Sequence, residues 1–151
     1  MIIQIRRAER KDCPGLLQLV RELAEYEKAP QEVNISLEQF EEGGFGPDPV
    51  WWAFTAEVDG NLAGFALYYI RFSTWKGKQM YLEDILVSER FRGNGIGSKL
   101  FERLMEECRE KGFEYMNWQV LDWNSPAIRF YEKFNGVSRN DEWLNYKLKI
   151  N

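Results

Sequence analysis

The hydrophobic pattern switches between two periods along the chain. Ile2-Ile3-Gln4-Ile5-Arg6 reads as a first strand. Leu16, Leu17, Val20, Leu23 and Ala24 then recur at helical spacing. Asp12 stands where an N-cap belongs, Pro14 falls in the first turn, and Ala29-Pro30 ends that helix. Ser36 starts a second short helix through Phe40, and Gly43 to Pro47 reads as a loop. Strand-like runs follow over Val50 to Val58 and Leu62 to Phe72, joined by Asp59-Gly60, a hairpin turn signal. After a loop from Ser73 to Lys78, a third run covers Gln79 to Val87. Almost every position in it except Glu83 and Asp84 is apolar, aromatic or at its edge, which predicts a central strand covered on both faces.

A glycine-rich turn, Arg92-Gly93-Asn94-Gly95-Ile96-Gly97, leads into a helix reaching about Lys111. Its apolar stripe is Ile96, Leu100, Phe101, Leu104, Met105 and Cys108, and Gly112 closes it. Tyr115 to Leu121 predicts another strand. Asn124-Ser125-Pro126 opens a short helix ending near Phe134, and Trp143 to Ile150 alternates as a final strand. No repeat or linker interrupts the pattern, so a single mixed α+β domain over residues 1–151 is expected.

Composition narrows the classes. With 6 Trp, 7 Tyr and 10 Phe in 151 residues, the bulk of the chain is not disordered. The longest apolar run, Leu62 to Ile70, is far short of the ~20 residues that a spanning helix needs, and no membrane partner is expected. The start, Met-Ile-Ile-Gln-Ile-Arg-Arg, has no signal-peptide layout. Cys13 and Cys108 both fall in expected helices, which reads as two packed thiols in a cytoplasmic chain. The chain has no histidine, so acid–base work must fall to carboxylates, Tyr, Lys, Cys or water. A Ser-His-Asp triad is excluded, and no metal site is expected.

Net charge is −4, unevenly spread. Between Glu22 and Asp48 eight acids face one base, Lys28. This acidic stretch argues against a nucleic-acid partner and suits a cationic ligand as well as a solvated surface.

The glycine turn is the sharpest local signal. Backbone without Cβ atoms turns tightly, and the free N–H groups at a helix start attract an anion. Arg90, Arg92 and Lys99 add positive charge, so a pyrophosphate is the natural guest, against the plain alternative of a structural turn. The P-loop pattern is absent, and Ser98 stands where a dinucleotide-binding fingerprint needs its third glycine.

Two spaced motifs change the weighting. Arg92-x-x-Gly95-x-Gly97, and downstream Asn124-x-x-Ala127-x-x-Phe130-Tyr131-x-x-x-x-Gly136, resemble the two signatures of the GCN5-related N-acetyltransferases. Glu22 to Glu27, Gly44-Phe45-Gly46, Tyr81-Leu82-Glu83-Asp84, Arg92 to Ser98 and Trp123 to Pro126 are further similar to diamine and thialysine acetyltransferases. The likeness runs nearly the full chain, with a tight hairpin at Val58 to Leu62 where the animal enzymes carry an insertion.

The resemblance implies a twisted, mostly antiparallel sheet of roughly six or seven strands with about four helices, splayed between two central parallel strands. It implies direct transfer of an acetyl group from acetyl-CoA to a primary amine of a small polyamine, diamine or thialysine-like cation. Transfer to an amino acid or protein amine, and a non-catalytic acyl-CoA-binding module, remain alternatives. It implies Glu83 as base, through a water, and Tyr131 as acid toward the CoA sulfur. Ile85, Leu86 and Val87 would hold the thioester and pantetheine arm, and Arg92, Gly93, Asn94, Gly95, Ile96, Gly97 and Ser98 the pyrophosphate. Asn124, Ser125, Pro126, Ala127 and Tyr131 would complete the cofactor site. Tyr26, Glu27, Glu83, Trp118, Glu142 and Trp143 would line the amine channel, and a homodimer is expected. Ser73 replaces an aspartate of the diamine enzymes, which disfavours long polyamines.

Overall fold

Alternating apolar positions produce five strands, which the computed structural model, describing residues 1–151, orders β1-β2-β3-β4-β5 in one sheet. They are β1 Ile3–Arg7, β2 Trp52–Val58, β3 Asn61–Ser73, β4 Gly77–Val87 and β5 Met116–Asn117. The first three pairings are antiparallel. The fourth is parallel and covers only Met80 with Met116 and Tyr81 with Asn117. From Leu82 onward β4 has no β5 neighbour, so the sheet is open between its parallel strands. The helices are α1 Cys13–Tyr26, α2 Leu37–Phe45, α3 Ile96–Lys111 and α4 Ser125–Glu132. The chain divides into two units, Met1–Gln119 and Val120–Asn151.

In the first unit the sheet is covered on both faces. Leu16, Leu17 and Leu19 of α1 and Phe40 of α2 pack with Trp51, Phe65, Leu67 and Leu86 on one face. α3 takes the other, where the Cys108 thiol lies 3.6 Å from the Met80 sulfur and Tyr68 reaches Glu107. Asp59 and Gly60 adopt left-handed φ of 50° and 84°, as the two-residue hairpin requires.

Several expectations are corrected. Asp12 does not cap α1 with its side chain; its carboxylate accepts from Arg6 at 2.8 Å and from the Glu9 amide at 2.7 Å. Ser36 does cap α2, with Gln39 completing a reciprocal capping pair. That helix runs past Phe40 to Phe45 and absorbs Gly43 and Gly44. The reason is Trp51, whose ring would lie 2.3 Å from a Cβ on Gly44. The small residues seat the indole, which donates to the Phe40 carbonyl at 3.1 Å. On α3 Met105 is only half-buried, and Glu107 takes the buried place beside Cys108. The strand expected over Tyr115 to Leu121 shrinks to Met116–Asn117.

In the second unit, Asn124 caps α4 by accepting from the Ala127 amide at 3.3 Å, with Pro126 in the first turn. Arg139 pairs with Asp141 at 3.1 Å. The final strand expected over Trp143 to Ile150 does not form. An alternating pattern needs a neighbouring strand to pair with, and here Trp143, Leu144, Tyr146, Leu148 and Ile150 are all exposed. The sheet therefore has five strands rather than six or seven.

Candidate active site

The register of β4 carries an irregularity at its chemically richest point. Tyr68 of β3 faces Leu82, but the next residue back, Leu67, faces Asp84. Glu83 is the extra residue of a β-bulge. In a regular strand Leu82 and Asp84 would share a face. The bulge turns Asp84 instead toward the α1 face, opposite the buried Leu67. Glu83 itself is exposed at the bulge.

Asp84 lines a cavity of about 190 Å³ together with Val20, Leu23, Ala24 and Glu27 of the α1 end, and Ala29, Glu32 and Val33 of the following turn. The half-buried Asp84 carboxylate makes no hydrogen bond or ion pair. Burial is the main cause that pushes its carboxyl up to about 7, and the charges of Glu83 and Glu27 push the same way. Glu27 is also raised, by burial and then by Glu83. Beside them Tyr69 and Tyr81, cross-strand neighbours, hold their rings 5.0 Å apart. Both phenols are raised, first by burial, with the charge of Glu83 contributing. A larger open depression of about 590 Å³ lies along α2, lined by Glu38, Gln39, Glu42 and Asp48, and holds none of the expected site residues.

The structure thus brings Glu27 and Glu83 together, as expected, and adds Asp84, Tyr69 and Tyr81. Sequence reasoning treated Asp84 as a companion of Glu83 and passed over the tyrosines. The signal that could have found them was the strand pairing: Tyr69 and Tyr81 face each other one pair before Tyr68 and Leu82, where the bulge begins. Trp118 packs edge-on against Phe101, with centroids 5.4 Å apart, on the α3 side of the sheet rather than in this cluster. Tyr26 ends α1 and lies under the Arg92 guanidinium at 5.4 Å. Asn124, Tyr131, Glu142 and Trp143 belong to the second unit. There Tyr131 is half-buried on α4, with its ring 5.3 Å from that of Phe130.

The glycine turn has the geometry that the anion argument requires. Gly93 and Gly95 adopt φ of 82° and 77°, which a side chain would strain. Gly95 is the N-cap of α3, with no side-chain cap and no acid in the first turn. The approach to it is braced. Glu22 accepts from the Ser88 hydroxyl at 2.9 Å and the Glu89 amide at 3.1 Å. Arg92 Nε donates to the Val87 carbonyl at 2.9 Å, and Asn94 donates to Phe91 at 3.0 Å. A helix start with uncapped amides, bordered by Arg92 and Lys99, fits a diphosphate.

An open parallel pair, a bulge carrying carboxylates on the central strand, and an uncapped glycine turn after it define an acyl-transferase type of fold. The chain belongs to the acetyltransferase (GNAT) family, whose model matches residues 8–137. It is 38% identical to the thialysine N-epsilon-acetyltransferase of Mus musculus over 97% of this chain and 92% of that protein. It is 34% identical to the spermidine/spermine N(1)-acetyltransferase-like protein 1 of Homo sapiens, over 92% of this chain and 21% of that one. The same fold occurs in a predicted acetyltransferase of Clostridium acetobutylicum solved with acetyl-CoA, with TM-score 0.75 and 19% identity over 97% and 96% of the two chains.

Proposed function

We propose that the chain is an acetyl-CoA-dependent N-acetyltransferase acting on a primary amine of a small cation, of the thialysine or short-diamine type. The observation that carries this reading is the bulge on β4, which sets Glu83 among Glu27, Asp84, Tyr69 and Tyr81 at the open edge of the sheet. Such a lining suits a cationic aminoalkyl chain better than a neutral or anionic acceptor.

The chemistry follows from the amine. With a pKa near 10.4, roughly one molecule in a thousand or fewer is nucleophilic at pH 7. Glu83 takes the proton through a water, and Glu27 holds the cation in place. Acetyl-CoA supplies an activated acyl group as a thioester. The glycine turn from Arg92 to Ser98 holds its diphosphate, and the main chain from Ile85 to Val87 lies on the edge that β5 leaves. Tyr131 protonates the leaving thiolate, and the α4 start from Asn124 to Ala127 borders the pantetheine. Glu142 and Trp143 extend the amine channel.

The exposed apolar residues of the last segment, from Trp143 to Ile150, suit a second copy of the chain, giving a homodimer. Two buried free thiols suit a cytoplasmic setting.

A thiol-release assay with acetyl-CoA and a panel of amines tests the reading. Thialysine or 1,4-diaminobutane is expected to turn over faster than free lysine or a peptide. Tyr131→Phe is expected to lower kcat at least about tenfold, and Glu83→Gln to move the rising limb of the pH–rate profile. CoA binding with no amine turned over would mark a binding module instead.

A further inference from the structure

A 3-10 turn from Glu89 to Phe91 leads from the end of β4 into the glycine turn, and it is capped from outside. Ser88 is its N-cap, yet the Ser88 hydroxyl makes no cap bond. It donates instead to Glu22 Oε1 at 2.9 Å, and Glu22 Oε2 accepts from the Glu89 amide at 3.1 Å. The first amides of a helical turn have no partner within it, so Glu22 of α1 caps this one from 67 residues away. The Ser88 amide is tied to the Ala63 carbonyl at 2.8 Å, and Phe91 closes the turn on Ser88 at 2.9 Å. One helical turn beyond Glu22, Tyr26 lies under the Arg92 guanidinium. α1 therefore grips both ends of the segment that enters the glycine turn. Charge gives no reason for an acid at this place, because a carboxylate beside a diphosphate site repels the ligand. What Glu22 contributes is its two bonds.

We propose that Glu22 is a positioning residue for the cofactor: by capping Ser88 and Glu89 it sets the path into the glycine turn, so that the turn's amides are arranged before the diphosphate arrives. Glycine backbone has the most conformational freedom to lose, and Gly93 and Gly95 both stand at positive φ. No side chain caps Gly95. Such a turn keeps one shape only if both its ends are held. The far end is anchored by α3, where Ile96 and Leu100 are buried. The near end has no comparable core residue; Ser88, Glu89 and Arg92 are half-buried or exposed. Their contacts to α1 replace that anchor. Without them the turn must be ordered when the ligand binds, and that ordering costs affinity. The inference rests on the reading that puts the diphosphate at this turn, and it names the residue outside the turn that shapes it.

The test is titration calorimetry of CoA into the full chain, with amide hydrogen exchange of the free protein beside it. Glu22→Ala removes both bonds and is expected to weaken CoA binding about tenfold. Exchange in that variant is expected to quicken from Glu89 to Gly95 and to stay as in wild type from Leu100 to Cys108 of α3. Glu22→Gln separates bonding from charge. Its amide oxygen accepts from Glu89, its NH2 donates to a Ser88 hydroxyl turned to accept, and the negative charge is gone. It is expected to bind CoA as tightly as wild type or tighter. Ser88→Ala removes one bond and leaves α1 untouched, so its binding is expected to be about threefold weaker than wild type. In turnover the KM for acetyl-CoA is expected to follow the same order, with kcat changed far less. Wild-type affinity in Glu22→Ala or Ser88→Ala, or equal weakening in Glu22→Gln and Glu22→Ala, would overturn the inference while leaving the transferase intact. Wild type that binds no CoA would overturn both.

Discussion

Glu107 and Asp84 are carboxylates pressed against opposite faces of the same sheet. The side chain of Glu107 is 0% exposed, yet it is fully partnered: Arg7 reaches it with both guanidinium ends at 2.9 and 3.0 Å, and the Tyr68 hydroxyl donates at 2.6 Å. Burial alone would raise its carboxyl; the bonds from Arg7 and Tyr68 outweigh that and hold it below the usual carboxylate range. Arg7 and Arg103 in turn sit over the Phe54 ring at 4.8 and 4.4 Å. Asp84 has none of this and is pushed the other way. The contrast teaches how one sheet separates support from chemistry. On the α3 face the charge is spent on tying β1, β3 and α3 together. On the α1 face the Asp84 carboxylate is left without a partner.

The comparison breaks first at Glu107. Removing it leaves the Arg7 and Tyr68 groups without their acceptor, so Glu107→Ala is expected to cost about 3–5 kcal/mol in urea unfolding. A loss below about 1 kcal/mol would mean that the network is ornamental. Its pH dependence has a definite sign. The folded carboxyl is depressed, so its contribution is complete above the unfolded value near 4.5 and disappears as pH falls below it.

Asp84 must show the opposite slope. Its folded carboxyl is raised to about 7 from 3.8, so between those values the folded state holds the extra proton. Stability then falls as pH rises through that window, by up to ~1.4 kcal/mol per unit. Asp84→Asn removes the penalty. Wild type is expected to lose about 2–3 kcal/mol more than the variant between pH 5 and pH 8, read from paired denaturation curves. Parallel curves would place Asp84 in water and end the contrast with Glu107.

Much of this was legible from residues alone, for reasons that can be named. Local rules carried the helices and the Asp59-Gly60 hairpin, because capping, period and turn chemistry act within a few residues. The glycine turn was readable because positive φ at Gly93 and Gly95 leaves a compositional trace. What escaped depends on long-range register. A bulge is invisible until Leu67 is seen to face Asp84, and so the face of Asp84 could not be assigned. Glu107 was passed over because its partners, Arg7 and Tyr68, are 100 and 39 residues away. The last strand was overread because its alternation, from Trp143 to Ile150, specifies a pleated face without supplying a neighbour.

The smallest expected effect separates the causes acting on Asp84. Burial ranks first, the charge of Glu83 second and that of Glu27 third. Glu27→Gln and Glu83→Gln each remove one negative neighbour and keep the side-chain shape, so the titration of the Asp84 carboxyl carbon reads the two charges separately. Both variants are expected to lower its midpoint from about 7, Glu83→Gln by more, because Glu83 is adjacent on the bulge. Neither brings it back to 3.8, since the apolar wall of Val20, Leu23 and Val33 is untouched. A return to the ordinary value in either variant would show that repulsion, not burial, holds the proton. Asp84 would then be one member of a solvated acidic surface, and its difference from Glu107 would be one of degree.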